Sequence, residues 1–205
     1  MSAYIDSIQR PPRTLLEREQ KLLLKVTGQH RDGFRDHVIF SLALGTGLRE
    51  HEIVGLNVGD IYDDQGKPRR RVQLQVFERS NPDREYQQVF LSTRFGIKLE
   101  KYNSWNRRRN ELLEPKSPLF MSRKNNRLSK RQIRYLFGVW QERAGFDQHF
   151  GFHSMRHSAC SQIHRRCGDL RITQKFARHK SSRSTEIYTH PSDENMFAVV
   201  EGVGW

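Results

Sequence analysis

The chain has 205 residues and is strongly basic, with 36 Lys and Arg against 23 Asp and Glu, a formal net charge of +13 and a pI near 10.2. This length suits one ordinary domain with its own core. The charge favours a polyanionic partner, because each Lys or Arg beside a phosphate releases condensed counterions. The longest apolar run, at 38–44, is too short to cross a bilayer, and residues 1–12 do not resemble a signal peptide. Nucleic acid is therefore the expected partner, and a membrane is not.

The chain has two cysteines, Cys160 and Cys167, seven residues apart in a segment predicted to be one helix. This spacing is typical of two buried small residues rather than of a disulfide. We therefore expect free thiols and a reducing, cytoplasmic location.

The hydrophobic pattern predicts a mainly α fold with one small sheet, in a single domain. Pro11 and Pro12 favour an extended arm, and Thr14 is expected to cap a first helix that starts at Leu15. Further helices are predicted over residues 32–44, 49–56, 93–113, 129–144, 154–167, 170–176 and 193–200. Alternating apolar and polar residues predict a small three-stranded antiparallel β-sheet formed by residues 58–62, 71–77 and 85–91.

Three segments carry arginine, histidine or hydroxyl side chains suited to phosphate chemistry, and the first two lie where helices are predicted to begin. In residues 43–56 a Gly-Thr-Gly turn precedes Arg49, so backbone and a helix N-terminus can approach a phosphate. His153 and Arg156, three residues apart, share one helical face. The third segment carries His179 and Tyr188. Phosphodiester transfer without a metal needs a nucleophile, fixed positive charge and proton handling, and these side chains can supply all three.

In this order and spacing the segments resemble the tyrosine recombinase (lambda-integrase-like) family. The matching boxes are Thr-Gly-Leu-Arg ending at Arg49, His-x-x-Arg ending at Arg156, a histidine box ending at His179, and Tyr-Thr-His beginning at Tyr188. Residues 167–172 also resemble the family's Gly-x-Asp-Leu linker. The resemblance implies the family's catalytic-domain fold over residues 14–190, with an N-terminal arm or linker at 1–13 and a C-terminal tail at 191–205 that serves oligomerisation.

The resemblance also implies a role for each matched side chain. Arg49 and Arg156 would bind the scissile phosphate, His153 would assist proton transfer, and His179 would donate to a phosphate oxygen. Tyr188 would attack phosphorus, giving a 3′-phosphotyrosine and a free 5′-hydroxyl. The adduct retains the bond energy, so the family needs neither ATP nor a metal or other cofactor.

The chain departs from the family pattern at two positions. The family's catalytic lysine lies in the turn between the second and third strands, whereas residues 77–85 contain no lysine. Arg79 stands nearest and can bind phosphate, while Lys67 or a water gives the proton, because a guanidinium is a poor acid. Arg178 replaces the glycine of the histidine box. Glu52 is expected to orient neighbouring donors.

DNA contacts beyond the reacting phosphate are expected from further basic side chains, namely Arg107, Arg108, Arg131, Arg134, Arg178 and Lys180. By resemblance the enzyme acts on double-stranded DNA as a homotetramer on two paired sites. The separate N-terminal domain of most members does not precede the match. The chain thus resembles short single-domain members such as fimbrial inverters, or is an excised domain. In most members that N-terminal domain closes a clamp around DNA, and whether an accessory DNA-binding partner does so here stays open.

Two kinds of alternative compete with this interpretation. His153, His157, Cys160 and His164 share one helical face and are all zinc-ligand types, but the ends of that stretch lie about 16 Å apart on a straight helix, so a packed face is expected and no metal. The absent lysine also fits a non-cleaving DNA-binding relative that keeps the fold. A topoisomerase-like enzyme would use the same tyrosine chemistry without strand exchange.

Overall fold

The computed structural model describes residues 14–76, 85–109, 114–188 and 200–201. The chain divides into two compact units, Thr14–Ala159 and the part from Cys160 onward. In the described residues no helix is long and apolar enough to cross a membrane.

In the described residues of the first unit, the regular structure consists of helices and one two-stranded sheet. In chain order its described elements are α1 (Glu17–Gln29), α2 (Phe34–Thr46), α3 (Glu50–Gly55), α4 (Val58–Ile61), β1 (Arg71–Val76), β2 (Glu85–Phe90), α5 (Thr93–Arg108) and α6 (Lys130–Arg143). Helix α7 (His153–Cys167) begins in this unit and ends in the second, which also contains α8 (Leu170–Ala177) and α9 (Arg183–Glu186).

The core of the first unit forms around α2, which is buried along most of its length. Helices α1 and α5 pack against α2, and α6 packs against α1 and α3. Phe137 of α6 contacts Phe40 of α2 and Phe152, with 5.6 Å between ring centroids in each pair. These aromatic contacts are favourable in edge-on geometry and fix the residue that precedes His153.

The prediction of a third strand at residues 58–62 is wrong. Residues 58–61 form α4, and within the described residues the sheet has two antiparallel strands, with Val72 opposite Val89. The side chain of Asp60 accepts the Asn57 backbone N–H at 2.7 Å, which is the bond from the N-cap backbone to the N3 side chain in a capping box. Tyr62 forms only an isolated bridge with Pro68.

The remaining predicted helices and strands are confirmed within the described residues, with shifted ends. The cap predicted at Thr14 is wrong, because α1 begins at Glu17 and the Leu16 N–H donates to Glu19 Oε2 at 2.6 Å. The short helix α9 was not expected from the sequence. The helix predicted over 193–200 falls outside the described residues except for Val200, which is helical.

Both cysteines are free thiols, as expected. Cys160 is buried, but the predicted burial of Cys167 is wrong, because Cys167 is exposed near the end of α7. Asp169 then caps α8: its Oδ1 accepts backbone N–H groups from Arg171 at 2.6 Å and Ile172 at 3.0 Å.

Candidate active site

The first group of predicted site residues surrounds the turn between α2 and α3. Helix α2 ends at Thr46, and Gly47 adopts a left-handed conformation (φ 61°, ψ 24°) that a residue without Cβ takes at little cost. The Gly47 N–H donates to the Ala43 carbonyl at 2.9 Å. This turn leads the chain directly into Arg49, the N-cap residue of α3.

Glu52 holds Arg49 through both backbone and side chain. The Arg49 N–H donates to Glu52 Oε2 at 2.6 Å, and Arg49 Nη1 donates to Oε1 at 3.0 Å. The Arg49 side chain remains 32% exposed. A charge-assisted hydrogen bond thus directs the guanidinium while part of it faces solvent.

Arg156 reaches the same turn from α7. Its residue is only 2% exposed, and Nη1 donates to the Gly47 carbonyl at 2.5 Å. Gly47 precedes Arg49 by two residues. The two arginines predicted to bind phosphate are therefore both tied to one turn, although 107 positions separate them in sequence.

His153 and His157 form an edge-on pair on α7, with ring centroids 4.6 Å apart. Partial burial lowers the pKa of His153, and Arg156 lowers it further, whereas the Glu50 carboxylate opposes both effects. Burial, followed by the charges of His153 and Arg156, lowers the pKa of His157 to about 4. Both rings are therefore mainly neutral near pH 7.

The second group of predicted residues lies in the second unit. The rings of His179 and Tyr188 are stacked, with centroids 6.2 Å apart and planes at 11°. His179 Nδ1 lies 3.0 Å from the hydroxyl of Thr185, a buried residue of α9. The Tyr188 N–H donates to the Thr185 carbonyl at 3.0 Å. Thr185 thus contacts the histidine with its side chain and the tyrosine with its backbone.

Arg178 ends α8 in a left-handed conformation (φ 55°, ψ 46°). Non-glycine residues adopt this conformation at a cost of roughly 1–2 kcal/mol, which explains why the family pattern has a glycine at this position. Its side chain is buried and Nη1 donates to the Phe176 carbonyl at 3.2 Å. The substitution therefore adds a packed side chain beside the His179 turn.

The other predicted residues are placed individually. Lys67 is exposed in a tight turn, where its N–H donates to Asp63 Oδ1 at 2.8 Å. Arg79 lies outside the described residues. The candidates for DNA contact that are exposed are Arg107 and Arg108 on α5, Arg131 and Arg134 on α6, and Lys180 after α8.

The structure brings Arg49, Arg156 and His153 together in the first unit, and His179 with Tyr188 in the second. Two further contributors carry no recognisable signal in the sequence. Thr185 was one of several hydroxyl residues between His179 and Tyr188, and Glu50 was one of two acidic residues following Arg49. Only folding reveals that Glu50 binds Arg134 across 84 positions. Within the described residues no group of three or more His, Cys, Asp or Glu side chains is arranged to hold a metal ion.

Comparison with known proteins decides the family. Residues 13–195 match the phage integrase family. The chain belongs to this family. Among its relatives, tyrosine recombinase XerC of Neisseria meningitidis is 32% identical over 183 residues, covering 88% of this chain and 56% of the relative. XerC of Actinobacillus pleuropneumoniae is 28% identical over 183 residues, covering 89% and 56%. This integrase-family chain spans little more than half the length of these relatives.

Solved structures share the fold of this phage integrase family member. The XerA recombinase matches with a TM-score of 0.75 and 23% identity, covering 95% of this chain and 65% of that one. The XerH site-specific recombinase bound to its difH substrate matches at 0.71 and 19%, covering 99% and 58%. The catalytic domain of bacteriophage HP1 integrase matches at 0.57 and 16%, covering 93% and 94%. The expected catalytic-domain fold is thus confirmed, apart from the third strand.

Proposed function

We propose that this chain is the catalytic domain of a site-specific DNA recombinase, which cleaves and rejoins strands through a covalent bond between Tyr188 and a 3′-phosphate. The observation that carries the proposal is the pair of arginines at one turn, with Arg156 bonded to the Gly47 carbonyl and Arg49 two residues further on. Family membership and the XerC relatives support the reaction class.

Arginine side chains are suited to stabilise the negative charge of a phosphate in the transition state. A guanidinium stays charged and its planar fork matches two phosphate oxygens, so Arg49 and Arg156 would neutralise the charge that develops on the non-bridging oxygens. Their positions are set before substrate arrives, by Glu52 and by the Gly47 carbonyl. Preorganised charge of this kind is a large contribution to catalysis.

In the proposed cleavage step the Tyr188 oxygen attacks phosphorus and the bond from phosphorus to the 5′-oxygen breaks. The tyrosine proton passes to a base, for which a neutral His153 is suited, and the leaving 5′-oxygen takes up a proton. Attack by the 5′-hydroxyl of another strand reverses these steps and releases Tyr188. One phosphate ester is exchanged for another, so the cycle is balanced without ATP or a metal.

His179 is proposed to donate to a non-bridging oxygen. The Thr185 hydroxyl supports this role, because a hydroxyl that donates to Nδ1 leaves the proton of the neutral ring on Nε2. Lys67 or a water is proposed to protonate the leaving oxygen in place of the family's lysine, with Arg79 binding phosphate.

The biological assembly extends the proposal. Residues 14–190 form the catalytic domain, 1–13 an arm or linker, and 191–205 a tail that docks on a neighbouring protomer. We propose that double-stranded DNA is bound by a homotetramer in the cytoplasm, with contacts from Arg107, Arg108, Arg131, Arg134 and Lys180, and that an accessory DNA-binding partner can join the complex. The buried side chain of Arg178 does not support the DNA contact predicted for it.

Covalent capture tests the function directly. The protein, with Tyr188→Phe as the inactive variant and Tyr135→Phe on exposed α6 as the matched control, is incubated in chelator with nicked fragments of its own genomic locus. A detergent-resistant adduct is expected with wild type and Tyr135→Phe but not with Tyr188→Phe, and sequencing the attached 3′ ends identifies the site. Salt-sensitive binding without an adduct would replace the proposal by the non-cleaving alternative. Relaxation of supercoiled DNA without paired sites would favour a topoisomerase-like activity.

A further inference from the structure

Glu50, the first residue of α3, is a charged group that the proposed reaction does not use. Its Oε2 accepts from Arg134 Nε at 2.8 Å and from Nη2 at 2.7 Å. The Glu50 side chain is 13% exposed, whereas that of Arg134 is 62% exposed. The pair therefore joins a mostly enclosed carboxylate, adjacent in sequence to Arg49, to a guanidinium that faces solvent on α6.

Glu50, Arg134 and His153 line one pocket of about 270 Å³. Phe137, Phe150 and Phe152 form part of its wall. Aromatic side chains lower the local dielectric on their side of the pocket, so charges beside them interact more strongly than in bulk water. The carboxylate and the imidazole thus share a site in which each can influence the other's protonation.

Several charged or titratable groups surround this imidazole on the elements that meet here. They are Arg49 and Glu50 on α3, Arg134 on α6, His149 in the preceding loop, and Arg156 and His157 on α7. Burial first, and then Arg156, lowers the pKa of His153; Arg49 lowers it as well, and Glu50 raises it. The carboxylate of Glu50 therefore opposes the arginines that the phosphate requires.

We infer that Glu50 is a positioning residue for His153. Its carboxylate favours the protonated imidazole, and its ion pair with Arg134 weakens this electrostatic effect on the ring. The inference rests on the proposed function of His153 in proton transfer. When Arg134 leaves Glu50 for a DNA phosphate, the proton affinity of His153 rises. DNA contact at α6 is thereby coupled to proton transfer at the reacting phosphate.

An NMR titration of the free protein tests the electrostatic part without any reaction. The His153 imidazole, assigned with His153→Gln, is titrated in wild type, Glu50→Gln, Arg134→Gln and the double variant. Glu142→Gln serves as the matched control, since Glu142 is exposed on α6 and does not line the pocket. We expect the pKa of His153 to fall in Glu50→Gln, to rise in Arg134→Gln, and to return to the Glu50→Gln value in the double variant, while Glu142→Gln leaves it unchanged.

A His153 pKa in Glu50→Gln that equals or exceeds the wild-type value would overturn the inference. The inference would also be overturned if Arg134→Gln changed the His153 pKa by the same amount in wild type and in Glu50→Gln. The double variant measures how much of the Arg134 effect depends on the Glu50 carboxylate. On DNA, the pH profile of Tyr188 adduct formation should move with the His153 pKa. If wild type forms no adduct, the proposed function fails while the titration still decides the inference; an unmoved profile despite a shifted His153 overturns the coupling.

Discussion

Replacing Thr185 with valine removes one hydroxyl and nearly preserves side-chain shape, so it isolates the contact that orients His179. Thr185 is fully buried, and its Oγ1 lies 3.0 Å from His179 Nδ1. If this hydroxyl donates, it favours the tautomer with the proton on Nε2, the nitrogen that can donate to phosphate. Valine offers neither donor nor acceptor and leaves the tautomer to the rest of the site.

The size of the effect follows from one neutral hydrogen bond. Such a bond contributes about 1 kcal/mol net to folding, which is the expected loss of unfolding free energy in Thr185→Val. If that energy is lost in the transition state, where His179 donates to the phosphate, adduct formation at Tyr188 should slow about fivefold, because about 1.4 kcal/mol corresponds to a factor of ten.

Single-turnover adduct formation on a nicked substrate measures this rate, and the ¹⁵N shifts of the His179 ring report the tautomer. Thr185→Ser is the matched control, because it keeps the hydroxyl and loses only a methyl group. We expect its rate to stay within about twofold of wild type. A Thr185→Val enzyme with wild-type rate and wild-type tautomer, or a serine variant as slow as the valine variant, would refute the reasoning.

Three further predictions concern the phosphate site, a helix cap and the acid limb of stability. Arg156→Lys keeps the charge but loses the planar fork that reaches the Gly47 carbonyl, so adduct formation should fall at least about 100-fold while the salt dependence of DNA binding stays the same; equal adduct yields would contradict the assignment. Asp169→Ala removes the α8 cap and should lower the unfolding free energy in urea by about 1 kcal/mol, with Asp169→Asn losing much less. Burial lowers the pKa of His37 and of His157 from 6.5 to about 4, so the unfolded chain binds these protons more tightly; the contribution of these two histidines to stability should be constant between pH 6.5 and 8 and should fall between pH 6.5 and 4. His37→Gln should flatten part of that fall, and a melting temperature that stays constant from pH 7 to 4.5 would exclude this explanation.

Residues 57–62 show where sequence patterns reach their limit in this fold. Val58, Ile61 and Tyr62 suggest a short strand, but the five residues 58–62 are too few to separate a period of 2 from one of 3.6. The helical conformation is favoured by the Asp60 side chain, which accepts the Asn57 N–H at the start of α4. Longer elements such as α2 and α5 carry several turns of pattern, and their existence was predicted correctly.

The candidate site likewise contains residues that local sequence motifs predict and residues that only the fold reveals. Arg49, His153, Arg156, His179 and Tyr188 are candidates from sequence because they lie in local boxes with recognisable spacing. Contacts between distant segments leave no such pattern, so the Glu50–Arg134 pair could not be foreseen. Arg178 was visible as a departure, but its left-handed backbone, which explains the preference for glycine, is a property of the folded turn.

The anchoring of Arg156 to a peptide carbonyl makes the position of its charge a property of the backbone. Side chains elsewhere can then be exchanged without displacing the guanidinium that is proposed to bind phosphate. Exposed residues such as Arg108 on α5 and Arg131 on α6 take no part in that anchor. Under the proposed function, a lineage could therefore acquire a new DNA target through these exposed residues while the reaction stays the same.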